Sequence, residues 1–243
     1  MYKMAKKDEF IAKIQEGYAF KGEHIQLGAA MLDGEVLADA TVSIPLKTLN
    51  RHGLIAGATG TGKTKTLQVL AENLSLLSVP VLMMDIKGDL SGLAAAGEDN
   101  ARIADRHTII DLPWLPKDYP VELLTISQQD GVRLRATTSE FGPVLLSKIL
   151  ELNDTQQGVL AMIFKYCDDN CLPLLDLKDM KKVLQYVNNE GKAEIEKEYG
   201  LISTSSTGII LRKIVELEQQ GAELFFGEKS FEVEDLTRIS DDG

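Results

Sequence analysis

The spacing of hydrophobic positions changes along this chain of 243 residues. Apolar runs of strand length lie at 52–56, 79–85, 108–111 and 121–126, each bounded by turn residues. A helix is predicted between the first two runs by apolar side chains that recur every three or four residues: Leu67, Leu70, Ala71, Leu74 and Leu77. The run at 79–85 is hydrophobic throughout, as in a strand covered on both faces. This alternation of strands and helices predicts an α/β fold with a parallel sheet.

The first 50 residues predict a small β element ahead of that sheet. Residues 1–20 have a helical pattern, and strands are predicted over 25–32 and 35–46. Asp33-Gly34, between the two strands, is a strong signal for a tight hairpin turn. We interpret this element as a β-cap packed on the core rather than as a separate functional module.

From about residue 139 the pattern becomes helical. Asp154, with Gln157 three residues later, predicts the capped start of one helix, and Asp176 predicts the start of another. A third helix is predicted after the small polar run 203–207. We interpret this block as a helical subdomain inserted between strands of the sheet. The predicted organisation is a cap at 1–50, the first part of the core at 51–138, a helical insertion at 139–221 and an incomplete return toward the core at 222–243.

Composition is that of an ordinary globular protein, with 44% hydrophobic and 26% charged residues. No apolar stretch approaches the ~20 residues that span a bilayer, so we expect no membrane partner and a cytoplasmic location. The net charge of −11 argues against a broad basic face that grips nucleic acid. It leaves open DNA held in the pore of a ring by a few basic loops. Cys167 and Cys171 have no nearby histidine or second cysteine pair, and we interpret them as ordinary thiols.

The most informative feature is an unbroken G-x-x-x-x-G-K-[ST] phosphate-binding loop at 57–64, a pattern that arises by chance in roughly 1% of chains this long. Its glycines allow backbone N–H groups to approach phosphate oxygens. Lys63 is predicted to reach the β- and γ-phosphates, and the hydroxyl of Thr64 to ligate Mg²⁺. The predicted ATP-binding residues are Gly57, Ala58, Thr59, Gly60, Thr61, Gly62, Lys63, Thr64 and Lys65.

Two carboxylates, Asp85 and Asp89, stand at the end of the run at 79–85, where ligands bind in open α/β sheets. Asp85 and Asp89 are therefore candidate catalytic residues, and Asp85 is also a candidate Mg²⁺ ligand. Alternatively, Asp85 caps a turn and the neighbouring Lys87 is solvated. The Asp85-x-x-Gly88 spacing also fits a GTPase box, but the chain has no N/T-K-x-D motif for guanine, so GTP specificity is unsupported.

A second ATPase signature, four apolar residues followed by Asp-Glu, does not occur in the sequence. In motor ATPases that glutamate polarises the attacking water. Either Asp85 or Asp89 substitutes for it, or the strand that carries it lies beyond residue 243. We therefore expect weak ATP hydrolysis by this chain alone. Arg133 and Arg135 are either surface residues or contacts for phosphate or a neighbouring subunit.

The run at 50–64 followed by Asp85-Ile86-Lys87-Gly88-Asp89-Leu90 resembles the HerA/FtsK superfamily of ring-forming, DNA-translocating ATPases. That superfamily has a D-P-[HK]-G-[ED] motif one helix and strand after the phosphate loop, and here Ile86 replaces its proline. The stretches at 134–143 and 151–158 are similar to the bacterial HerA-like ATPases of the YjgR type.

The resemblance implies a P-loop ATPase that uses ATP and Mg²⁺, forms hexameric rings and acts on double-stranded DNA, with a nuclease or other protein as partner. It also implies that this chain is the N-terminal portion of a longer protein. Two other functions remain open. One is a nucleotide-gated module that captures a protein, which suits the acidic charge better. The other is a small-molecule kinase with Asp85 as the base.

Overall fold

The computed structural model describes residues 2–239, which divide into two compact units. Unit 1 runs to Val121 and takes in the chain from Leu236 onwards, and unit 2 is Glu122–Asp235. Helices and strands are both present, so the chain has a mixed α/β structure. Among the described residues, no helix has the length and apolar character that crossing a membrane requires.

Unit 1 begins with a helix and an antiparallel hairpin: α1 (Tyr2–Gly17), β1 (His24–Leu32) and β2 (Glu35–Pro45). The hairpin turn has positive φ at both central residues, 50° at Asp33 and 84° at Gly34. Such a turn matches the twist of paired strands, which explains why this dipeptide marks it. The predicted hairpin is confirmed, with strand ends within one residue of the prediction.

Two further helices complete unit 1, α2 (Lys63–Leu76) and α3 (Ala101–Ile109). The strand predicted at 108–111 is wrong, because this stretch is the end of α3 and its C-terminal cap. The helix starts at Asn100, whose side chain accepts a hydrogen bond from the Ile103 amide. A capped helix satisfies its own backbone groups, whereas an isolated apolar strand does not.

The extended parallel sheet is not formed by the described residues, which hold only two two-stranded sheets. The runs at 52–56 and 79–85 carry no strand, and Leu54 and Met84 are 89% and 91% exposed. A buried parallel strand needs neighbours that take up its backbone groups and cover both faces. No strand of the described structure lies beside these two runs, so their apolar pattern alone does not make them strands.

Unit 2 contains a parallel pair of short strands, β3 (Leu124–Thr125) and β4 (Val132–Arg133). The strand predicted over 121–126 is thus reduced to two residues. An isolated parallel bridge joins Ala136 to Phe226, just beyond β4. Within residues 2–239, short 3₁₀ turns lie at Leu46–Thr48, Ser91–Ala94, Ala222–Leu224 and Val233–Thr237.

Most of unit 2 is helical, with α4 (Thr138–Ile149), α5 (Asp154–Asp169), α6 (Leu177–Asn188), α7 (Lys192–Tyr199) and α8 (Thr204–Gln219). Asp176 caps α6 as predicted. The cap pair of α5 lies one residue earlier than predicted, at Asn153 and Gln156. The helices bury one continuous hydrophobic cluster that includes Leu146, Leu160, Ile163, Met180, Leu184, Ile210 and Ile214. The helical block predicted from residue 139 is therefore present.

Candidate phosphate-binding site

The loop before α2 is folded around the carbonyl of Ala58. The Thr61 hydroxyl donates a hydrogen bond of 2.8 Å to that oxygen, and the Thr61 amide approaches it at 3.4 Å. A Cβ atom at Gly57 would lie 2.5 Å from the Thr61 hydroxyl oxygen. Only glycine therefore fits at position 57 while Thr61 keeps this position.

The other two glycines of the loop adopt the left-handed conformation. φ is 81° at Gly60 and 95° at Gly62, and Gly62 is the N-cap residue of α2. Glycine has no side chain to cap the helix, and the first helical bond runs from the Thr66 amide to the Gly62 carbonyl at 2.9 Å. The amides of the preceding turn, including those of Thr64 and Lys65, are left for a ligand. Such a helix start favours anions.

Lys63 already has an acceptor in this structure. Its Nζ donates a hydrogen bond of 2.7 Å to the Ala58 carbonyl, so the side chain lies back over the loop. Thr64 and Lys65 are exposed, as are Ala58 and Thr59. The predicted loop residues thus form one exposed turn at the start of α2, and their binding roles remain predictions.

The turn at 85–90 is organised by the side chain of Asp85. One carboxylate oxygen accepts hydrogen bonds from the amides of Lys87 (3.1 Å) and Gly88 (2.8 Å). The other accepts from the Leu90 amide at 2.7 Å. These bonds, that from Leu90 first, lower the pKa of Asp85, because they favour the charged carboxylate. The geometry matches the alternative in which Asp85 caps a turn. Its predicted catalytic and metal-binding roles remain predictions.

A residue that the sequence did not reveal joins this turn to α2. Gln68 lies on α2, is 7% exposed, and donates a hydrogen bond of 2.9 Å from Nε2 to the backbone carbonyl of Asp89. The Asp89 carboxylate itself is exposed. A glutamine inside an amphipathic helical stripe gives no signal in sequence, since its role depends on a contact 21 residues away.

The next turn of α2 carries Glu72, a carboxyl group whose pKa is shifted. Partial burial raises the pKa of Glu72, and Lys65 opposes this effect. Tyr119 also has a raised pKa, from its own burial first and then from the charge of Glu72. The Tyr119 amide donates to the Leu93 carbonyl at 3.1 Å, which holds this segment in unit 1.

The two candidate arginines both lie in unit 2. Arg133 is exposed on β4. Arg135 donates to the Phe226 carbonyl at 3.3 Å, while its buried Nε has no hydrogen-bond partner among the described residues. Its guanidinium occupies the space that a Cβ at Gly227 would need. Arg135 therefore packs within unit 2, and its predicted alternative role in phosphate or subunit contacts remains untested.

The described residues contain no group of three or more histidine, cysteine or acidic side chains placed to hold a metal ion. Cys167 is buried, which raises the pKa of its thiol to about 11, and Cys171 is exposed. A Mg²⁺ ion bound with nucleotide needs fewer protein ligands, because phosphate oxygens and waters fill most of its coordination shell. One exposed hydroxyl, that of Thr64, fits this kind of site.

Comparison with known families gives one match. The sequence profile of the family described as helicase HerA-like, C-terminal, matches residues 31–243, which is most of the chain. No curated protein and no solved structure matches the chain.

Proposed function

The chain belongs to the helicase HerA-like C-terminal family, and we propose that it binds Mg-ATP at residues 57–65 and works as a P-loop ATPase. The observation that carries this proposal is the geometry of the loop. Gly62 starts α2 in the left-handed conformation without a side-chain cap, and Lys63 lies over the loop. Backbone amides, a helix N-terminus and an ammonium group together form an anion site suited to a triphosphate.

In this proposal each residue of the loop has a separate task. Lys63 exchanges its bond to the Ala58 carbonyl for bonds to the β- and γ-phosphates. The Thr64 hydroxyl supplies one Mg²⁺ ligand, and the ion neutralises phosphate charge. The amides of the first turn of α2 hold phosphate oxygens. Asp89 and Asp85 are the candidate acidic groups for the water or the metal.

The remaining features of the proposal come from the family and its superfamily. They are a P-loop NTPase sheet, a hexameric ring, conformational work on double-stranded DNA, a nuclease or other protein partner, and a cytoplasmic location. The unpaired apolar runs at 52–56 and 79–85 support the sheet, because they are the segments that would enter it once neighbours cover them.

One observation favours a second function. The net charge of −11 disfavours DNA as a substrate, because DNA binding gains much of its free energy from phosphate neutralisation. The alternative is a nucleotide-gated module in which bound ATP regulates the capture of a protein partner. Stimulation of ATP hydrolysis by duplex DNA separates the two functions. The translocase requires it, and the gated module predicts nucleotide binding without it.

The direct test of the shared site is Lys63→Ala, with Lys47→Ala as a matched control at an exposed lysine of unit 1. Loss of charge-assisted bonds to phosphate should weaken Mg-ATP binding by roughly 10- to 100-fold. Isothermal titration calorimetry measures the affinity, and Lys47→Ala should leave it unchanged. Equal affinity of Lys63→Ala and the unmodified protein would refute the proposed site.

A further inference from the structure

Two sets of hydrogen bonds hold the turn at 85–90, one to the side chain of Asp85 and one from the side chain of Gln68. The Asp89 carboxylate takes part in neither. Asp85 accepts three amide hydrogen bonds from within the turn, so both of its oxygens are engaged. Gln68 reaches in from α2 and binds the Asp89 carbonyl. Both contacts lie within unit 1.

Engagement of Asp85 changes what it can do chemically. A metal ligand or general base needs a free lone pair directed at its target. Three of the roughly four lone-pair positions of the Asp85 carboxylate already accept amide N–H groups from within the turn. Turning the carboxylate toward a ligand would weaken these bonds, including the one to the partly buried Leu90 amide at 2.7 Å. Asp85 is therefore better placed to shape the turn than to act on a ligand.

Gln68 connects this turn to the nucleotide site through a rigid element. It lies four residues after Thr64, one helical turn along α2 from the amides that face the phosphate loop. Gln68 itself is buried, and its bond to the Asp89 carbonyl is partly buried. A ligand that orders the first turn of α2 thus acts on a helix already joined to the Asp89 backbone.

We propose that Gln68 and Asp85 are positioning residues that hold the turn at 85–90 against α2, so that Asp89 responds to the terminal phosphate of a bound nucleoside triphosphate. Asp85 sets the shape of the turn, Gln68 ties it to the phosphate-binding helix, and Asp89 is the acidic group presented by the pair. This inference rests on the proposed nucleotide site and assigns separate roles to two carboxylates that the sequence named together as candidate catalytic residues.

The experiment follows the amides of Gly88 and Leu90 by NMR hydrogen exchange in the 243-residue protein. Exchange is measured alone and with a saturating non-hydrolysable Mg-ATP analogue. In the unmodified protein the analogue should slow exchange of these amides by about tenfold, because it stabilises the helix that anchors the turn. In Gln68→Ala the affinity for the analogue should stay within about threefold, while the slowing is lost.

Asn73→Ala is the matched control, since Asn73 on the same helix donates a bond of the same kind to the Val69 carbonyl at 2.7 Å and does not reach the turn. It should keep the full response. Gln68→Met preserves side-chain volume and replaces Gln68→Ala if the smaller residue unfolds unit 1. Asp85→Asn should speed exchange at Leu90 even without nucleotide, because the amide group retains only one acceptor oxygen.

The outcomes separate this inference from the proposed function. Absence of analogue binding in the unmodified protein overturns both. Binding without any change at Gly88 and Leu90 overturns the inference and leaves the nucleotide site intact. A response that survives Gln68→Ala and Gln68→Met also overturns it, because the coupling then does not pass through this bond.

Discussion

Most of the buried apolar side chains belong to unit 2, although both units leave some large apolar side chains exposed to solvent. Leu160 of unit 2 is 0% exposed within a cluster formed by several helices. Leu54 and Ile86 of unit 1, which precede and follow α2 in the chain, are 89% and 98% exposed. A helix satisfies its own backbone and needs only one covered stripe, whereas a core strand needs partners on both sides.

The candidate phosphate site lies in the unit with the smaller buried core. The phosphate loop, the turn at 85–90 and Gln68 all belong to unit 1. Segments with few buried apolar contacts open more readily than a packed core. Ligand-binding elements are commonly drawn from such segments, because they must rearrange around what they bind. Unit 2 has the larger buried core, and unit 1 carries the loop and the turn of the proposed phosphate site.

The largest expected effect tests this contrast in stability. Leu160→Ala should destabilise unit 2 by about 2–5 kcal/mol, because it removes a fully buried side chain and leaves a cavity. Leu54→Ala is the matched substitution in unit 1 and should change stability by at most about 0.5 kcal/mol. Urea unfolding followed by circular dichroism measures both. Similar losses for the two variants would contradict the division into a packed and an open unit.

A smaller effect is expected at the loop. Gly57→Ala should weaken Mg-ATP binding by about tenfold or more, because the new Cβ would displace Thr61 from the Ala58 carbonyl. Gly53→Ala, where a Cβ meets no atom within 4 Å, should bind normally. Calorimetry on the two variants compares them directly. The double variant Gly57→Ala with Thr61→Ala should recover part of the loss. If Gly57→Ala binds Mg-ATP as well as the unmodified protein does, binding does not need this loop geometry.

The smallest effect concerns pH and the turn of unit 1. Hydrogen bonds lower the pKa of Asp85 in the folded turn below its ordinary value of 3.8. Its contribution to the turn is therefore present above the unfolded pKa and is lost as pH falls through the lower folded pKa. The amide chemical shift of Leu90 should follow that loss below pH 3.8. Asp85→Asn should abolish the titration, and a Leu90 shift that titrates equally in both proteins would assign it to another group.

The sequence predicted the elements whose interactions are local. The Asp33-Gly34 turn and the Asp176 cap depend on residues a few positions apart, and both are present. The strands predicted at 52–56 and 79–85 depend on partners elsewhere, and the described residues do not provide them. The apolar pattern at 108–111 is short enough to fit a strand. In the structure Asn100 caps the start of α3, and this helix ends within that stretch.

The candidate site divides in the same way. The phosphate loop could be predicted because a fixed local pattern encodes it, although its nucleotide contacts remain untested. The bond from Gln68 to Asp89 could not be predicted, since no spacing rule relates two residues in different elements. Both carboxylates of the turn were candidate catalytic residues in sequence. Hydrogen bonds to Asp85 distinguish them in the structure.

Because Lys63 is bonded to the Ala58 carbonyl, an anion that binds Lys63 at the proposed site must replace that bond. An arriving anion gains at Lys63 only the difference between its own interaction and the one it displaces. A weakly charged anion gains little from that exchange. A Mg-bound polyphosphate gains more, because it also occupies the amides of α2. At the proposed site, this exchange would favour multivalent phosphates over simpler anions.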